Sequence, residues 1–135
     1  MTFYAHQGID IVVEAGSLLQ TIQLVYSPVD IGKVPTNGKY RHRLKTFDLL
    51  AYDYGGEKVS PFLVRPWVLT IRLKDLELSQ VDMSRLMIGR FDVDSEEWVP
   101  IITSYYPSDE LLVSTILEVG RFAIMSENWM PLPGS

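Results

Sequence analysis

Four cations, Lys39, Arg41, Arg43 and Lys45, alternate with Tyr40, His42 and Leu44. On an extended strand, residues two apart share a face at a spacing of about 6.6 Å. These four would therefore make one stripe of positive charge. A stripe of that kind can bind an anion or an acidic partner surface. It can also keep an edge strand from pairing with another chain, and that is the expected role here. Tyr52 and Tyr54, and again Tyr105 and Tyr106, sit near turns. Flat exposed aromatics can stack on sugar rings, but tyrosines more commonly rim a core with the hydroxyl in water. The candidate binding residues are Lys39, Arg41, Arg43, Lys45, Tyr52 and Tyr54.

Asp92, Asp94, Glu96 and Glu97 crowd one predicted hairpin. Calcium takes several carboxylate oxygens at comparable spacing. A calcium loop of the EF type needs glycine at its sixth position, where this chain has Glu97. A solvated acidic turn without bound metal is the expectation. His6 and His42 have no serine or cysteine beside them in a recognisable motif. No nucleophile, base or metal set can be named, so the chain reads as non-catalytic and free of cofactors.

The elements that would position these residues follow a period of two. Ile9, Ile11 and Val13 share one parity, as do Ile22, Leu24 and Tyr26, and again Trp67, Leu69, Ile71 and Leu73. This alternation predicts half-buried strands. Between Leu44 and Phe47 the apolar parity flips, which a regular strand cannot do without a bulge or a break, and one is placed near Lys45-Thr46. Asp53 to Glu57 predicts a hairpin turn, because Gly55 and Gly56 supply positive φ. Residues 74–84 fit either an extended crossover or one helical turn. Leu86 to Val93, Trp98 to Thr103, Leu111 to Leu117 and Phe122 to Met125 complete the set. The count is about eight strands without a long helical period, which predicts an all-β, immunoglobulin-like antiparallel β-sandwich. Ile11, Val13, Leu49, Leu69, Ile71, Trp98 and Phe122 are expected to meet between the two sheets.

Composition agrees with one domain over residues 1–127, followed by a linker-like tail at 128–135. The chain has 135 residues, 47% apolar and 21% charged. That length can bury a core unaided, and cysteine is absent, so no disulfide contributes. A net charge of −5 argues against a general nucleic-acid binder. No apolar run approaches the ~20 residues that cross a bilayer, so no membrane insertion is expected. Residues 1–10 lack the form of a signal peptide. Either the chain is not exported or it is a segment of a longer exported chain, and the tail favours the second.

Gly8 to Leu18 resembles the opening of ZU5-like modules, apart from Glu14 where those have proline. Phe47-Asp48-Leu49, Asp53, Gly56 and Pro66 to Ile71 resemble the middle of that pattern. Trp98-Val99-Pro100 and Gly120 to Ile124 resemble its end. The resemblance, spanning about residues 8–125, implies a β-sandwich that serves protein–protein interaction or spacing, often outside the cytoplasm in surface proteins. A carbohydrate-binding module is the alternative reading. Some relatives of that type cut their own backbone at a His-Phe-Ser stretch. The aligned positions here are Glu118, Val119 and Gly120, so nucleophile and base are both missing and an intact chain is expected.

Overall fold

The computed structural model describes residues 1–6, 8–29, 42–75 and 86–126, with the backbone alone at 42–44, 75 and 126. Among them are eleven strands: β1 (Thr2–His6), β2 (Ile9–Val12), β3 (Gln23–Val29), β4 (His42–Tyr52), β5 (Lys58–Val59), β6 (Trp67–Arg72), β7 (Met87–Asp92), β8 (Glu97–Pro100), β9 (Thr103–Tyr106), β10 (Leu111–Ile116) and β11 (Gly120–Ser126). All strand pairs are antiparallel. One sheet runs β1-β2-β6-β10-β9. The other runs β3-β4-β11-β7-β8, with β5 also paired to β4. The two pack face to face as a β-sandwich.

The period of two explains the core. In β6, Trp67, Leu69 and Ile71 are fully buried, while Val68, Thr70 and Arg72 are half-buried on the other face. Ile9, Ile11, Leu112 and Ile116 extend the inner face of the first sheet, and Phe47, Leu49, Ile88, Phe122 and Ile124 supply the second. A ladder of rings leads from the surface into this space: the exposed His6 stacks on Tyr26, Tyr26 on Phe47, and Phe47 on Phe122, at centroid distances of 5.2, 5.4 and 5.9 Å. His6, six residues from the N-terminus, is placed by β1. A register shift between Tyr4 and His6 accompanies that placement.

Three expectations change. The strand count rises from about eight, partly because β1 forms at the terminus, tied by Val13 N–H to Met1 O at 2.7 Å. It rises also because Trp98 to Thr103 is two strands. Pro100 ends β8, and the chain crosses to the other sheet through Ile101 and Ile102. Thr103 Oγ1 secures that crossing by accepting from Ile88 N–H at 3.1 Å and donating to Ile101 O at 2.9 Å. Second, Trp98 lies outside the central core. It pairs with Phe91, whose parity is opposite to that of Ile88. It therefore joins Ala123 and Met125 on the far face of the second sheet, with Val29, Met87 and Phe91 packed alongside. Third, the β4 bulge falls at Leu44, between Lys45 opposite Ile124 and Arg43 opposite Met125. That is within two residues of the expected place.

Ser17, in the Ala15-Gly16-Ser17 turn, accepts a 2.8 Å hydrogen bond from the buried Trp67 indole N–H. Ser17→Ala strands that donor. The expected cost is about 1–3 kcal/mol, read as a lower denaturation midpoint, whereas Ser17→Thr should keep most of the stability.

Candidate functional site

The cationic stripe does not assemble among the described residues. Lys39 and Arg41 lie outside them, Arg43 contributes backbone to β4, and Lys45 is half-buried. Strand β4 is paired on both sides from Thr46 onward, whereas at Arg43 and Lys45 its pairing among the described residues is with β11 alone. Parity within the strand could reveal the stripe, but the sheet position depends on partners far along the chain. The 31–39 loop, the bulk of residues 74–84 and the tail also lie outside the described residues.

The tyrosines separate. Tyr52 ends β4, half-buried opposite Lys58. Tyr54 is 95% exposed at the tip of the predicted hairpin. Asp53 Oδ1 builds that turn by accepting from the backbone N–H groups of Gly55 at 2.9 Å and Glu57 at 3.0 Å. Gly56 takes φ +85°, as such a turn requires. Tyr105 and Tyr106 point to opposite faces of β9, Tyr105 against the core and Tyr106 outward, so this pair makes no platform.

The acidic residues form the β7–β8 turn. Asp92 Oδ1 accepts from Asp94 N–H at 3.0 Å. That bond, and next the Ser95 hydroxyl, hold the Asp92 carboxyl below its usual range. One of the four carboxylates is therefore engaged with its own turn. Among the described residues no three His, Asp or Glu side chains gather as a metal set. Glu118 pairs with Arg90 at 3.1 Å, and Gly120 opens β11 opposite Leu49.

A surface not read from the sequence emerges on the outer face of the first sheet. Register places Thr2, Val12, Val68 and Thr115 in one row across β1, β2, β6 and β10. Tyr4, Asp10, Thr70, Val113 and Ser104 form the next row, and Arg72, Leu111 and Tyr106 a third. Ile102, 89% exposed, continues the first row beyond Thr115. Tyr4 and Tyr106 stand exposed at opposite edges. Within these rows only Asp10 and Arg72 carry charge, and they pair with each other. The face carries mainly aliphatic, threonine and tyrosine side chains, and its one charge pair is internally neutralised. The outward parity of each strand is visible in the sequence. Its assembly into one face with a single charge pair needs the strand order β1-β2-β6-β10-β9. No helix of the described residues is long and apolar enough to cross a membrane. Comparison with protein-family models, with curated proteins and with solved structures finds no match to this chain.

Proposed function

We propose that the chain is a non-catalytic β-sandwich module that binds a protein partner through the outer face of its five-stranded sheet. The observation that carries this reading is the near-absence of charge on that face in a chain of net charge −5. A sheet face that only meets water usually alternates polar side chains outward. Here Val12, Val68, Leu111, Val113 and Ile102 face out with threonines between them. The partner it suits presents a flat, uncharged apolar surface. The size of the face sets the strength of the contact. Four inter-strand steps of about 4.8 Å and strands of four to six residues give a plan area of roughly 250–400 Å². That is below the roughly 800 Å² per partner of standard interfaces, so the contact is a transient one. The exposed Tyr4 and Tyr106 on the same face favour a second reading, stacking against an extended glycan.

Immobilised protein tests both readings. Ile102→Lys with Val12→Lys charges the face at its exposed positions and should abolish partner capture from source cells, while Glu14→Lys should not. Retention of the same partners by the double variant ends the protein reading. A saturable fluorescence titration with one polysaccharide, lost in Tyr4→Ala and Tyr106→Ala, would establish the glycan reading instead.

A further inference from the structure

Three loops stand side by side at the end of the sandwich where β10 passes into β11. Strands β2, β6 and β10 are neighbours in the first sheet. At that end β2 stops, β6 starts and β10 stops, with Val12 opposite Val68 and Trp67 opposite Ile116. The loop after β2 is fastened to the loop before β6 by three contacts. Leu18 bridges Leu63, Val64 N–H donates to Ser17 O at 2.8 Å, and the Trp67 indole N–H donates to Ser17 Oγ. Leu63 is buried and Leu18 packs against the core. Across an antiparallel bridge, the residues one step out pair on the opposite side. Leu19 and Phe62 are therefore turned outward together. The short loop after β10, starting at Leu117, follows directly beyond the Trp67–Ile116 pair.

These loops expose large apolar side chains: Leu19 is 79% exposed, Phe62 74%, Leu117 65% and Val64 49%. A single exposed apolar residue is ordinary, whereas a group on adjoining segments marks a contact surface. The Leu18–Leu63 bridge fixes two of the four in place, so little ordering remains to be done on binding. The charge around them is one-sided. Exposed carboxylates come from Glu14 and Glu118 in the loops. More come from Glu57 and the Asp94 to Glu97 turn, at the same end of the second sheet, against Lys58 and Arg65.

We propose that this loop end docks a basic amphipathic helix of a partner protein. Leu19, Phe62, Val64 and Leu117 meet the apolar stripe of that helix, and the carboxylates face its lysines and arginines. The widths agree. From β2 to β10 there are two inter-strand steps, about 10 Å, and a helix with its side chains is about 10–12 Å across. Such a helix carries an apolar stripe flanked by charge. A membrane would also accept apolar loop tips, but anionic lipids repel the acidic rim, so the charge favours the helix. The four apolar residues lie outside the rows of the proposed docking face, so the two readings fail separately.

The test titrates the full chain with a helical peptide of about four turns, built from one leucine stripe flanked by lysines. Backbone amide NMR shifts should saturate and stay confined to residues 14–20, 57–66, 94–97 and 117–119, with affinity on the order of 0.1 mM. Salt at about 0.5 M should weaken binding severalfold. The same peptide with glutamate in place of lysine should not bind. Leu19→Ser with Phe62→Ser should weaken binding about tenfold or more with an unchanged melting temperature. Tyr4→Ser, on the sheet face, should leave it unchanged. Phosphatidylcholine vesicles should not sediment the chain. Absence of shifts, shifts centred elsewhere, equal binding of the glutamate peptide or indifference to salt would each overturn the proposal. So would full affinity in the double variant, loss in Tyr4→Ser, or vesicle binding that the double variant abolishes, which would assign a lipid surface instead.

Discussion

Leu69→Ala and Ile71→Ala should each lower stability by about 2–5 kcal/mol, while Thr70→Ala between them should cost under about 1 kcal/mol. All three lie on β6, the middle strand of the five-stranded sheet. Leu69 stands between Ile11 and Ser114, and Ile71 between Ile9 and Leu112. Both side chains are fully buried against the opposite sheet, so truncation removes methyl groups and leaves a void that neighbours on two strands cannot fill. Thr70 points to the half-buried outer face and leaves no void. Urea unfolding measures the three midpoints, and an unchanged denaturant slope confines the effect to the native state. A Thr70→Ala loss as large as that of Ile71→Ala would mean that β6 is turned over.

Gly89→Ala should cost about 1–3 kcal/mol by overpacking, and Met125→Ala about 2–5 kcal/mol by leaving a cavity. The double variant should cost less than their sum. A Cβ on Gly89 would fall 2.0 Å from Met125 Cε and 2.6 Å from Sδ. Methionine is flexible enough to move, but Met125 is fully buried beside Ala123 and Trp98, so it moves at the expense of that cluster. Removing the thioether frees the volume that the added methyl group needs. A coupling of about 0.5–3 kcal/mol is expected for residues in direct contact. The Trp98 emission should shift in each single variant, since its ring belongs to the same cluster. Strict additivity would show that Met125 does not cover Gly89.

Much of the sandwich is legible in the chain because strand alternation is a local property. Trp67, Leu69 and Ile71 alternate with Val68, Thr70 and Arg72, and no partner need be known to see which face is apolar. The same holds for the Asp53 to Glu57 turn, where Gly56 supplies a positive φ and Asp53 binds its own loop. It holds for the irregularity in β4, because a parity flip requires a bulge or a break, and the continuous pairing with β11 makes it a bulge. Alternation does not say which sheet a strand joins or which of its faces lies inward. Trp98 shows the consequence: its strand alternates as expected, but its pairing with Phe91 turns the indole to the far face. The β8–β9 crossing depends on a bond between Thr103 and Ile88, 15 residues apart. The Asp48–Arg121 clamp joins residues 73 apart. The sheet face with its single charge pair and the apolar loop end are likewise products of strand order, β1-β2-β6-β10-β9 for one and the adjacency of β2, β6 and β10 for the other. Local period set the strands and most of the core. Only long-range pairing decided which side chains became neighbours, because a pairing between distant strands leaves no periodic trace in either one.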